Sequence, residues 1–177
     1  RKNTAQIDFE KDTTPMGGGA IALGSESKTM IQNSVFSQNE SKYHGGAIAM
    51  RGPNDGDNSA ADLDILDSEF NGNIAAQNGG AIYSTFYDSE NVKDSVYIED
   101  SEFVENEAVN GGAIYNEGLA DRGDNVAAMK VIDSEFVGNI VTNFGGAVYN
   151  GSKLVLEDSE FSKDDAYIGG AMFLAKG

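Results

Sequence analysis

Short runs of alternating apolar and polar residues recur along this chain, each followed by the same punctuation. Leu63-Asp64-Ile65, Val96-Tyr97-Ile98 and Leu154-Val155-Leu156 each lead into an Asp-Ser-Glu-Phe stretch. Period-two alternation, β-rich composition and flanking Asp, Asn or Gly predict strands. A Gly-Gly-Ala run comes next, and a Gly pair in every unit opposes a helix. Each unit therefore reads as three short strands: the leading apolar run, Ser-Glu-Phe, and Gly-Gly-Ala-Ile-Tyr. Bends are expected at the Asp before Ser, at the Asn after Phe, and in the segment beyond the Gly strand.

The unit repeats six times. Clear copies are Ser68-Glu69-Phe70 with Gly79-Gly80-Ala81, Ser101-Glu102-Phe103 with Gly111-Gly112-Ala113, and Ser134-Glu135-Phe136 with Gly145-Gly146-Ala147. Looser ones are Ser34-Val35-Phe36 with Gly45-Gly46-Ala47 and Ser159-Glu160-Phe161 with Gly169-Gly170-Ala171. A worn first copy is Ile7-Asp8-Phe9 with Gly18-Gly19-Ala20. From Phe to the Gly pair the distance is always 8 or 9 residues; from the Gly pair to the next Phe it runs from 16 to 25. Length variation thus sits in one segment.

One such unit cannot bury its apolar residues, but stacked units can, by laying like strands in parallel register. The expected fold is all-β: a parallel β-helix of about six coils forming one domain over residues 1–177. Successive coils would rise by about 4.8 Å. Phe36, Phe70, Phe103, Phe136 and Phe161 would pile up inside. Ile31, Ile65, Ile98, Val131 and Leu156 would form a second internal column. Ile21, Ile48, Ile82, Ile114, Val148 and Met172 would form a third. Asn39, Asn73, Asn106 and Asn139 would form an amide ladder along the stack. The Gly pair implies close approach or an unusual backbone angle.

Charge changes the picture of partners. Formal net charge is −17. Nucleic acid is excluded as a partner, since phosphate neutralisation needs clustered Lys and Arg. An anionic membrane surface is disfavoured equally, and no apolar run is long enough for a spanning helix. Solubility, a cationic partner or divalent metal would each suit such a surface. Cys is absent, so there is no disulfide framework. The chain opens on Arg1 without a signal peptide, which reads as a mature product or an excised segment.

Candidate chemistry is sparse. Ser34, Ser68, Ser101, Ser134 and Ser159 share the inward face of Phe, and catalytic serines do not come in columns; no catalytic residue is assigned. Asp67, Glu69, Asp100, Glu102, Asp133, Glu135, Asp158 and Glu160 fall on the outward face, with like carboxylates roughly 5 Å apart. In water each neighbour costs on the order of 1 kcal/mol. Splaying and salt screening would relieve this; so would bridging Ca²⁺, which favours several carboxylate oxygens. Three longer loops, Arg51 to Ala61, Ser84 to Lys93 and Asn116 to Val126, would project from one edge, where solenoids often bind. The first holds Asn54-Asp55-Gly56-Asp57-Asn58, an acidic stretch without the spacing or final Glu of an EF-hand. The third holds Arg122-Gly123-Asp124, the tripeptide read by integrins. Asn39-Glu40-Ser41 and Asn150-Gly151-Ser152 match the glycosylation triplet, with Asn150 the more accessible candidate. His44, the sole histidine, takes the slot of Asn78 and Asn110 and reads as a turn residue.

With Gly-Gly-Ala-Ile and Phe-x-x-Asn alternating along its length, the chain resembles the polymorphic outer-membrane protein repeats of chlamydiae. It is also similar to the β-helix passengers of autotransporter adhesins. It departs from them in its acidity and its lack of Cys. The resemblance implies a right-handed, single-stranded parallel β-helix, display at a cell surface or outside the cell, and adhesion. Partners would be a protein or glycan of a host or neighbouring cell. Head-to-tail self-association into a filament is an alternative, since neither end carries an evident cap. A polysaccharide lyase or hydrolase on the same fold is another, with Arg51 or Arg122 beside loop aspartates.

Overall fold

The computed structural model describes residues 4–5, 17–24, 27–51, 61–86, 95–118 and 128–175. Among these residues the chain is all-β and winds as a parallel solenoid. Each strand hydrogen-bonds to its counterparts in the adjacent coils. The leading strands are Lys28–Gln32, Asp62–Leu66, Ser95–Glu99, Ala128–Ile132 and Lys153–Glu157. The Phe strands are Val35–Ser37, Glu69–Asn71, Glu102–Val104, Glu135–Val137 and Glu160–Ser162. The Gly strands are Ile21–Leu23, Ile48–Arg51, Ile82–Phe86, Ile114–Gly118, Val148–Asn150 and Met172–Leu174.

A coil has four strands rather than the three expected. After the Asn bend the chain forms Glu40–Ser41, Ile74–Ala75, Glu107–Asn110 and Ile140–Phe144, which pair as a separate sheet. Its inward residues are small: Ala75, Ala108 and Val141 form their own cluster with Ala166. Strands of two residues are too short to show a period, which is why the sequence concealed this sheet. The first unit also departs from expectation. Phe9 lies outside the described residues, yet Thr4–Ala5, upstream of it, pairs with Glu40–Ser41 in the Asn sheet. The expected register would have put the chain there only after Phe9.

In-register pairing converts the repeat into columns. Phe36, Phe70, Phe103, Phe136 and Phe161 stack with ring centroids 4.9, 4.8, 4.8 and 4.7 Å apart and planes within 5°. That separation exceeds the thickness of a ring, so the rings are offset, the favoured arrangement for aromatic faces. Ile31, Ile65, Ile98, Val131 and Leu156 pair in sequence along the leading sheet. Ile21, Ile48, Ile82, Ile114, Val148 and Met172 do so along the Gly sheet.

Left-handed residues make the corners. Asn33, Asp67, Asp100, Asp133 and Asp158 have φ between 44° and 50°, a region that Asn and Asp tolerate better than most residues. Gln38, Gly72, Glu105, Gly138 and Lys163 form a second such column, at φ 53° to 66°. The Gly pair answers to two different demands. Gly79 has φ +68, while at Gly80 a Cβ would fall on the carbonyl oxygen of Gly112 in the next coil. Conformation requires the first glycine, and close approach between coils requires the second.

Candidate functional site

The acidic row is built by the Asp corner and the Phe strand together. The corner turns Asp67, Asp100, Asp133 and Asp158 out to solvent. Alternation along the strand then sends Glu69, Glu102, Glu135 and Glu160 outward opposite the buried Phe, one directly over another. Asp100, Ser101, Glu102, Asp133 and Glu135 line an open depression of about 290 Å³. Among the described residues, no three acidic or histidine side chains are grouped so as to hold a metal ion. These eight residues make a surface row, in which each coil offers the same two carboxylates along parallel lines.

The serines between them turn inward and hold backbone. Ser34, Ser68 and Ser101 each donate a backbone N–H to the hydroxyl of the next coil's serine, at 3.1 to 3.2 Å. The hydroxyls of Ser68, Ser101 and Ser134 donate to the carbonyl two residues back, at 2.7 to 2.8 Å. Both roles of these hydroxyls are thus filled by backbone groups.

Asn39, Asn73, Asn106 and Asn139 lie buried in one line. The side-chain amide of Asn39 donates to Asn73 Oδ1 at 2.8 Å, that of Asn73 to Asn106 at 2.9 Å, and that of Asn106 to Asn139 at 3.0 Å. Each Oδ1 also accepts the preceding rung's backbone N–H at 3.0 Å. Buried polar groups left unpaired would cost about 1–3 kcal/mol each, so the ladder satisfies a corner that would otherwise strand its donors.

A second polar line escaped the sequence reading. Ser84, Asn116 and Asn150 occupy the inward position two residues past Ile82, Ile114 and Val148, and are fully buried. Ser84 donates to Asn116 Oδ1 at 2.7 Å, and Asn116 Nδ2 donates to Asn150 Oδ1 at 2.7 Å. The signal was there, in the same residue class at the same offset, but the expected strand stopped at Tyr. This corrects the glycosylation reading. Asn150 is 1% exposed and Asn39 2%, so neither amide is accessible in the folded coil.

The outward face of the Gly sheet carries an aromatic column that was also missed. His44, Tyr83, Tyr115, Tyr149 and Phe173 stack in order, with centroids 4.2, 5.6, 4.4 and 5.4 Å apart. Ring faces meet one another along the column. Burial, then the charge of Glu117, pushes the Tyr115 phenol far up. Burial pulls the His44 imidazole down to about 4, and its Nδ1 has no hydrogen-bond partner among the described residues. His44 is therefore neutral at physiological pH, at a corner where Asn78 and Asn110 stand in the next two coils.

Arg122, Gly123 and Asp124 lie outside the described residues, as does the acidic stretch Asn54 to Asn58. What the structure places is where their loops are rooted. Arg51, Thr85 and Glu117 align near the exits, and Asp62, Ser95 and Ala128 align at the returns.

Stacked parallel coils with interior ladders define this protein as a repeat β-solenoid. Residues 67–85 and 100–117 match the Chlamydia polymorphic membrane protein repeat. Each match starts at a left-handed Asp corner and runs through the Phe strand, the ladder Asn and the Gly pair, so the matched unit is the part of the coil that varies least. No curated protein and no solved structure matches the chain.

Proposed function

We propose that this chain is a non-enzymatic, structural and adhesive β-solenoid, displayed at a cell surface or outside the cell. Its contact face is the corner between the Gly sheet and the leading sheet, and its partner is a protein or glycan of a host or neighbouring cell. The observation that carries this reading is the rooting of the three long connections. They leave the Gly sheet and return to the leading sheet at register positions stacked on one another. Elsewhere the same corner is closed by Gly151 and Ser152 alone, so the extra length is not needed to wind a coil. Solenoids commonly place binding in such per-coil insertions. The connection holding Arg122, Gly123 and Asp124 is one of the three, rooted between Gly118 and Ala128. The name of the matched repeat, that of a membrane protein, supports the location.

The test replaces residues 52–60, 87–94 and 119–127 each by Gly-Ser. Circular dichroism and the thermal midpoint should stay near those of the parent, while adhesion to cultured cells is lost. Adhesion that survives all three replacements overturns the reading. Assemblies that persist on a sizing column without cell binding would favour the filament instead.

A further inference from the structure

The amide ladder has five rungs, and the last of them is Asp164. In the Asn rungs the side-chain nitrogen donates twice, once to the next rung and once to the Phe carbonyl of the preceding coil. Asn73 reaches Phe36 O at 3.0 Å, Asn106 reaches Phe70 O at 2.9 Å, and Asn139 reaches Phe103 O at 3.0 Å. Asp164 copies the accepting half of this pattern. Its Oδ1 takes the Asn139 backbone N–H at 2.8 Å and the Asn139 side-chain amide at 2.9 Å. Its Oδ2 is buried and has no hydrogen-bond partner among the described residues. By the pattern of the earlier rungs, where the second side-chain atom is a nitrogen that donates to the Phe carbonyl of the preceding coil, the group to be served here is the Phe136 carbonyl. An ionised carboxylate can only accept, so ionised Oδ2 cannot serve it.

We propose that Asp164 is a proton-dependent rung: its Oδ2 takes up a proton and donates it to the Phe136 carbonyl, so that acid tightens the last coil. Protonation turns the carboxylic acid into a copy of the Asn amide, with one accepting and one donating atom. Burial pushes this carboxyl above its ordinary range, and the two bonds from Asn139 pull the other way without cancelling it. The charges nearest in the chain are Lys163 and Asp165, both exposed. Its hydrogen-bond partner in the neighbouring coil, Asn139, is neutral. For a carboxyl raised on folding, the extra stability is complete below the unfolded pKa. It falls as pH rises through the folded pKa and is flat above it. The last coil is therefore held most tightly in acid and loosens toward neutrality.

Two measurements on the full chain test this. Carboxyl carbon NMR of the parent should show Asp164 titrating above 3.8, its ordinary value. Amide exchange over residues 160–174 should slow at pH 7 in Asp164→Asn, by about tenfold for each pH unit the carboxyl is raised. The same variant should abolish the acid-dependent gain in protection. Asp164→Ala, which also removes the accepting oxygen, should speed exchange at every pH. A titration at or below the ordinary value overturns the proposal, whether or not the variants fold. So does an Asn variant no better protected than the parent at pH 7.

Discussion

The coil from Ser95 to Gly118 and the coil from Lys153 to Ala175 carry the same motif and have opposite fates. In the first, Val96, Ile98, Phe103 and Ile114 are fully buried. In the second, Leu154, Phe161 and Met172 are only partly buried, and Leu156, Tyr167, Ile168 and Leu174 are exposed, Tyr167 by 83%. The strands of both are parallel and in register. What differs is that, among the described residues, the central coil has a neighbour on each side and the coil from Lys153 has one. Burial in a solenoid is supplied half by the coil before and half by the coil after, so the motif sets position while the neighbours set energy.

The sharpest way to break this comparison is through the second glycine of each pair. A Cβ on Gly112 would fall on the Gly146 carbonyl oxygen, whereas one on Gly170 meets nothing closer than Asp164 O at 3.5 Å. Gly112→Ala should therefore cost upwards of about 4 kcal/mol or prevent folding. Gly170→Ala should leave the urea midpoint almost unchanged. Equal effects would mean that close approach is not what the glycine serves.

Next in size is the aromatic stack. Phe103→Ala should destabilise by about 3–5 kcal/mol in equilibrium unfolding. Phe161→Ala, with one stacking partner instead of two, should cost roughly half as much and chiefly speed exchange in the last coil. A Phe161 effect as large as that of Phe103 would show that the terminal coil is as tightly held as the centre.

The smallest expected effect runs the other way. Glu105 and Lys163 hold φ 53° and 60° at a corner where Gly72 and Gly138 stand in alternate coils. A non-glycine residue there is strained by about 1–2 kcal/mol, against an entropic cost of about 0.5–1 kcal/mol for glycine. Glu105→Gly should raise global stability by about 0.5–1 kcal/mol, read from the urea midpoint. Lys163→Gly should slow amide exchange only in the last coil. A loss of stability at Glu105 would show that its side chain contributes more than its backbone strain costs.

How far the molecule was readable in advance varies from feature to feature. The Phe, Ile and Asn columns were readable because a parallel in-register stack maps equal spacing directly onto contact. The Asn sheet was not, since two-residue strands such as Ile74–Ala75 carry no period. The first coil misled because Phe9 and Gly18 alone were matched, while the pairing of Thr4–Ala5 depends on backbone register. Tyr83, Tyr115 and Tyr149 were visible as repeats, yet their ring-on-ring stacking outside the barrel needed coordinates. So did the depression that Asp100, Glu102, Asp133 and Glu135 line together, because direction is not readable from spacing.

By itself the order of residues determined that this chain coils, where each coil turns, and which side chains share a line, since all three follow from a repeat whose period the backbone must honour. Only the tertiary structure decided that a coil has four sides and which members of a line are buried. It also decided that the Asp164 rung of the amide ladder holds a buried oxygen with no hydrogen-bond partner among the described residues. Those outcomes depend on what lies above and below each residue, and a residue's own neighbours in the chain do not report it.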